Sequence, residues 1–292
     1  MSITSALYTG VTGLLNNGEA MNVIGNNISN VNTTGFKQGR TLFSDLLSQN
    51  AGNNSQIGKG VQLQSVQNLF TQGTSQNSEY VTDLAVQGNS FFALSAPGFS
   101  AAPAAINQDK AFLSRAGAFH VDSNLTMVNA DGYQVLDTAG KPITFTSTAS
   151  DATDFGKITK IDSEGRITYL AKDGINQYYY NGNGAAGIPV TGTPAVHLAL
   201  VTAKDPSALT KVGGSLYQSS SDSGIPSAAF TLAANRANGN SEQVLSNTLE
   251  GSNVDMASEF VKMIVTQRAY SANSKTITTA DQMTQEVLGL IR

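Results

Sequence analysis

A seven-residue apolar repeat runs through the first thirty residues, and it limits most strongly what the chain can become. Leu7, Leu14, Met21 and Ile28 fall at one heptad position, with Ile3, Ile24 and Val31 at a neighbouring one. That spacing is the seam of a helix that packs lengthwise on another helix. Gly10, Gly13, Gly18 and Gly25 interrupt it, each costing up to about 1 kcal/mol relative to alanine. A helix so diluted is marginal alone. It needs a partner.

The opposite end of the chain supplies one. Ser252 or Asn253 can cap a helix start, after which Val254, Ala257, Val261 and Ile264 recur at spacings of three and four. A second stripe follows at Ile277, Ala280, Val287 and Ile291. Arg268 falls on the first stripe, where it can reach a neighbouring carbonyl or carboxylate or simply extend to water. Helices of roughly 28 and 38 residues would span about 42 and 57 Å. Their seams are thin, so much of that length lacks cover unless it packs on copies of the same chain.

Between about 70 and 245 the pattern changes to strands and turns. "LAVQGNSFFAL" (84–94) and "VHLALV" (196–201) mix alternation with short apolar runs, and turn signals recur at Asp131-Gly132, Glu164-Gly165, Asn181-Gly182 and Asn183-Gly184. The fold class expected is therefore mixed α and β. Long N- and C-terminal helices pair as a coiled-coil-like rod, and the central domain is mostly antiparallel β. The expected division puts 1–34 and 250–292 in a terminal helical domain used for polymerisation. Residues 35–72 connect it to a β-rich body, 73–249, in which 140–195 is a reduced outer insertion.

Composition narrows the function. Charged residues make up 13% of the 292 and the formal net charge is -4, which argues against a nucleic-acid partner that would favour a basic stripe. The absence of cysteine excludes disulfides, thiolate metal sites and cysteine nucleophiles. The N-terminus has neither the basic start nor the apolar run of a cleaved secretory signal. No window approaches the roughly 20 apolar residues of a membrane span. A soluble chain, cytosolic or exported without cleavage, is the expectation.

No catalytic constellation emerges, and no catalytic, cofactor or metal residue is assigned. His120 and His197 both lie in strand-like runs, and Asp131, Asp162, Glu164 and Asp173 in turns, where carboxylates commonly hold backbone amides. The rival of a different class is a secreted β-rich protein that binds or cleaves glycans, for which "YYY" (178–180) would be the aromatic platform.

The stretch "NNISNVNTTGFK" (26–37) is unusually rich in asparagine. Asn32 and Gly35 read as helix-stop chemistry, with a left-handed residue closing the turn. Asn26, Asn27 and Asn30 lie upstream on the helix. Their amides both donate and accept, so they suit a subunit contact whose geometry varies, without stranding a charge. Solvation is the plainer alternative.

"NVIGNNISNVNTTGFK" (22–37) resembles the N-terminal signature of bacterial flagellar axial proteins, the rod and hook subunits. "LEGSNVDMASEFVKMIVTQRAYSANSKTITTADQM" (249–283) is similar to the matching C-terminal signature. "GTSQNSEYVTDLAVQGNSFFAL" (73–94), "SRAGAFHVDSN" (114–124) and "KVGGSLY" (211–217) resemble blocks of the family's β body. "SALYTGVTGLLNNGEAMNVIGNN" (5–27) together with "GRTLFSDLLSQ" (39–49) most resembles the hook members, with the distal rod members as near relatives. As a hook subunit the chain is short, because 140–195 leaves little room for the extra outer β domain those members usually carry.

The resemblance implies a self-assembling extracellular flagellar component, exported by the flagellar type III apparatus without a cleaved signal peptide. It implies a helical tube that carries torque from rod to filament. The implied partners are copies of itself, the distal rod protein, the hook cap and the hook-filament junction proteins, with no cofactor. The subunit-contact residues expected are Leu7, Leu14, Met21, Ile28, Asn26, Asn27, Asn30, Val254, Val261, Ile264, Arg268, Ile277, Val287 and Ile291.

Overall fold

Both ends of the chain are helical: α1 spans Ile3–Ser29 and α2 spans Met256–Leu290. They occur in a computed structural model that describes residues 3–46, 49–52, 55–99, 106–146, 154–182, 185–192, 196–230 and 234–290. The chain divides into two units, one formed by residues 1–31, 38–69 and 254–292 and the other by 32–37 and 70–253.

In the first unit α1 packs on α2 and on a β-hairpin. Gly10 lies against Ile277, Gly13 against Asn273 and Asn27 against Glu259. Residue numbers rise along one helix as they fall along the other, so the pair is antiparallel. The glycines explain how a poor helix sequence survives. A Cβ on Gly10 would sit 2.9 Å from Cγ1 of Ile277, and one on Gly13 would sit 2.6 Å from Nδ2 of Asn273. Propensity is given up at Gly10 and Gly13, where side chains of α2 lie directly against the α1 backbone.

The buried line of α1 is Gly10, Gly13, Ala20, Ile24 and Asn27, whereas Leu7, Leu14, Met21 and Ile28 are half-buried beside it. The seam is thus built of small residues and is shifted around the helix from the leucine line. The start of α2 also differs from expectation. Its cap is Asp255, whose Oδ1 accepts the Ala257 N–H at 3.1 Å, rather than Ser252 or Asn253.

The segment expected merely to connect forms strands. β1 (Gly39–Asp45) pairs antiparallel with β4 (Val61–Asn68), with a register shift between Leu42 and Phe43. β2 (Gln49–Gly52) pairs with β3 (Ser55–Ile57) in the same hairpin.

The second unit is antiparallel β throughout its described strand pairs. The strand at Ser90–Ser95 is its axis and is buried on both faces. Phe92 and Leu94 join one core, with Val135, Leu198, Leu200 and Leu216, and Phe91 and Ala93 join another, with Leu113, Leu136, Val201 and Tyr217. This is the period-2 pattern of a strand between two layers. Among the described residues the four-stranded sheet at 155–189 shares the first of these clusters, into which Ile161, Ile167, Tyr169 and Tyr180 pack. Gly132, Gly165 and Gly182 have φ of 80°, 76° and 113°, as turn residues require. The Asn183-Gly184 signal lies outside the described residues.

Candidate subunit-contact surface

Two buried glutamates organise the places where the distant ends of the chain come together, one in each unit. In the helical unit Glu259 is 1% exposed, yet its carboxylate is fully engaged. Oε2 accepts the Asn27 amide at 2.9 Å, and Oε1 accepts Gln38 Nε2 at 2.7 Å and Lys262 Nζ at 2.6 Å. Asn27 does more. Its Nδ2 also donates to the Gly39 carbonyl at 2.8 Å, while its Oδ1 accepts the Gly39 N–H at 2.9 Å. One amide therefore ties the end of α1 to the first residue of β1 and to the first turns of α2. Satisfaction of this kind is what permits a charge in a core.

In the β-rich unit Glu250 sits between two cations. Oε1 accepts Lys37 Nζ at 2.6 Å and the Gly73 N–H at 2.9 Å, and Oε2 accepts Arg115 Nη1 at 3.3 Å. All three side chains are 2% exposed or less. Two positive groups against one negative leave an excess cation. Carbonyls absorb it: Lys37 donates to Thr71 at 2.7 Å, and Arg115 donates to Gly88 at 2.7 Å with its guanidinium 4.9 Å from the Phe91 ring. Burial pulls the Lys37 ammonium and the Arg115 guanidinium below their ordinary pKa ranges, against the opposing pull of Glu250. Gly35 closes the turn at φ 67° and gives its N–H to the Glu250 carbonyl at 2.8 Å. The left-handed residue of that turn is Gly35, not Asn32, which is exposed.

The helical unit leaves much apolar surface uncovered. On α2, Phe260, Val261, Ile264 and Val265 are 46%, 61%, 51% and 61% exposed. Helical spacing puts Val261, Ile264, Val265 and the exposed Arg268 on the side away from Glu259, Asn273, Ile277 and Ala280. Tyr8, Val11 and Leu15 of α1 are exposed as well. An open groove of about 680 Å³ runs between the helices, with Leu14, Leu15, Met21 and Tyr270 beside the polar Glu19, Asn22, Gln267 and Ser271 around Gly18. Within the helical unit, among the described residues, both helices keep a second apolar side.

The remaining sequence candidates divide around this surface. Val254 is buried, Ile277 half-buried and Val287 exposed, and Ile291 lies outside the described residues. Asn26 is exposed, and its Oδ1 accepts the Asn30 amide at 3.2 Å. Asn27, expected at a subunit contact, is buried with its amide bound inside its own unit. His120 is exposed, while His197 is buried with its pKa lowered by desolvation and then by the nearby Arg236 and Arg166, against Asp162 and Glu164. Tyr180 of the "YYY" run is 3% exposed and packs in the core rather than forming a platform.

Comparison with known proteins follows the same two ends. The family model described as flagella basal body rod protein matches residues 7–37, and that described as flagellar basal body rod FlgEFG protein C-terminal matches 245–290. The chain is 34% identical to flagellar basal-body rod protein FlgG of Bacillus subtilis (strain 168), over 98% of this chain and 99% of that protein. The chain belongs to the flagellar basal-body rod and hook protein family. Another rod-and-hook relative, FlgG of Borreliella burgdorferi, is 30% identical over 95% of each chain. Flagellar hook protein FlgE of Treponema pallidum is 38% identical, but over 47% of this chain and 31% of the hook protein. The named relatives of this rod-and-hook chain are structural components of the flagellum. Asn27, Lys37, Glu250 and Glu259 all fall within the two stretches that the family models match.

Proposed function

We propose that the chain is a structural subunit of the flagellar basal-body rod that assembles with copies of itself, through α1 and α2, into a helical tube. The observation that carries this is the end-to-end likeness to rod proteins, 98% of this chain against 99% of the relative. The hook likeness covers 31% of the hook protein. A rod subunit rather than a hook subunit is therefore the reading favoured, and the shared core of the 155–189 sheet supports it because no separate outer domain is present among the described residues.

Residues 1–34 and 250–292 serve as the polymerisation domain and 73–249 as the body. The buried positions of α1 at 10, 13, 20, 24 and 27 favour coiled-coil-like pairing with α2. The uncovered apolar faces favour further helical neighbours, since patches of this kind mark interaction surfaces. Export through the flagellar apparatus without a cleaved signal, and contact with adjoining rod and hook components, complete the reading.

Electron microscopy of basal bodies from cells lacking this chain tests it. A rod subunit leaves basal bodies that stop short of the hook. Complete rods that lack only the hook would return the chain to the hook branch.

A further inference from the structure

Resting on the self-assembly reading, we propose that Arg268 of one copy pairs with Glu19 of the next, so that the outward face of α2 seats in the groove between α1 and α2 of its neighbour. Both groups are unusual for where they stand. Glu19 is the sole charged residue of α1, and it lines the groove beside Leu14, Leu15 and Gly18. It accepts a long 3.5 Å contact from Asn22. Arg268 is the sole charged residue of α2 between Lys262 and Lys275. It is exposed among Val261, Ile264 and Val265, and among the described residues no carboxylate pairs with it.

The one anion of a groove whose Leu14, Leu15, Met21 and Tyr270 are interleaved with the neutral Asn22, Gln267 and Ser271, and the one cation of an apolar ridge, are complementary in sign. The charges would set register while the aliphatic side chains bury area. Gly18 has nothing within 4 Å of a built Cβ, so the groove floor is open to a neighbour's side chain. The occupant is a second copy because ridge and groove belong to the same chain and are different patches of it. Such a contact is heterologous, so it runs on from copy to copy and gives an open filament where the rotation between copies does not close.

The chain contains no cysteine, so engineered thiols report contacts without background. Glu19→Cys and Arg268→Cys are made as separate full-length proteins, mixed under assembling conditions and treated with a short bifunctional maleimide that joins two thiols. A direct disulfide needs Cα atoms within about 7 Å, closer than an extended arginine and a glutamate joined head to head hold their backbones, so the linker supplies the missing length. The expected result is a covalent dimer in the mixture and in neither protein alone, whereas Glu19→Cys mixed with Asp173→Cys stays monomeric. Charge reversal gives a second readout. Glu19→Arg and Arg268→Glu each weaken assembly by about tenfold or more, and the double variant recovers it. Gly18→Leu, which improves helix propensity and fills the groove, folds normally and loses assembly.

If wild type assembles but the mixture bridges no better than the control and the double variant is no better than either single one, the Glu19–Arg268 pairing is overturned and self-assembly stands. If wild type stays monomeric at every concentration while its helices remain ordered, the self-assembly reading itself fails.

Discussion

Removing the amide of Asn27 strips three partners at once, both backbone groups of Gly39 and the carboxylate of Glu259. Buried groups left unpaired cost about 1–3 kcal/mol each. Asn27→Ala should therefore lower the unfolding free energy by about 2–4 kcal/mol, while Asn26→Ala, on the exposed side, should change it by less than about 0.5 kcal/mol. Urea titrations followed by circular dichroism separate the two, and equal effects would contradict the latch. The sequence announced this cluster of amides but not which of them is structural. The deciding partners, Glu259 and Gly39, lie 232 and 12 residues away, beyond any local pattern. Lys37 and Glu250 are 213 residues apart and equally invisible. Another buried acid yields a pH effect. Asp137 is 0% exposed, and burial raises its pKa from 3.8 to about 6 although the Ala139 and Lys141 N–H groups and the Tyr180 hydroxyl all donate to it. The folded chain thus keeps this proton between about pH 4 and 6 while the unfolded chain releases it. Stability falls as pH rises through that window, and the loss is complete above about pH 6. Asp137→Asn keeps an oxygen for the two N–H groups and should be more stable than wild type by roughly 1–3 kcal/mol at pH 7.5, with no advantage at pH 4. Denaturation at the two pH values checks the sign.

Among the elements, α1 shows how close approach can outrank propensity. Its heptad spacing was legible, and so was the need for a helical partner. The face was not, because apolar size suggested the leucine line whereas α2 approaches the glycines. A pattern of large residues marks where area can be buried, whereas Gly10 and Gly13 mark where side chains of α2 rest on the α1 backbone. The four glycines therefore should not respond alike. Gly25 has nothing within 4 Å of a built Cβ, so Gly25→Ala should stabilise the helical unit by about 0.5–1 kcal/mol. Gly10→Ala would place its methyl 2.9 Å from Ile277 and should lose that gain or more. Thermal melts of the single variants would show opposite shifts. The hairpin of β1 and β4 escaped the sequence reading for a different reason. Its burial pattern alternates between half-buried and exposed, without the apolar runs that reveal the core strand at 90–95.

At the level of the whole molecule, folding and assembly draw on different residues, and that separation can be measured. The β-rich unit has two apolar cores and a buried ion cluster wholly its own. Glu250→Gln would leave Lys37 and Arg115 facing each other without an anion, and losing one member of such a cluster costs about 3–5 kcal/mol. That is a large part of the 5–15 kcal/mol typical of a domain, so this variant should fail to accumulate as folded protein. Ile264→Asp makes the opposite case. Ile264 is 51% exposed in the single chain, so an aspartate there meets water and leaves the monomer nearly unchanged. In a tube it would put a carboxylate against apolar side chains of a neighbour, where an unpaired charge is costly. Leu14→Asp blocks the same contact from the groove side of α1, at a half-buried position where it costs the helical unit more than Ile264→Asp does. Both variants should keep the near-ultraviolet circular dichroism and urea midpoint of the β-rich unit while sedimenting as monomers where wild type forms polymer. Tubes of normal length from either would mean that these faces are covered by something other than sister subunits. Loss of the β-unit signal would mean instead that the helices are required for the body to fold.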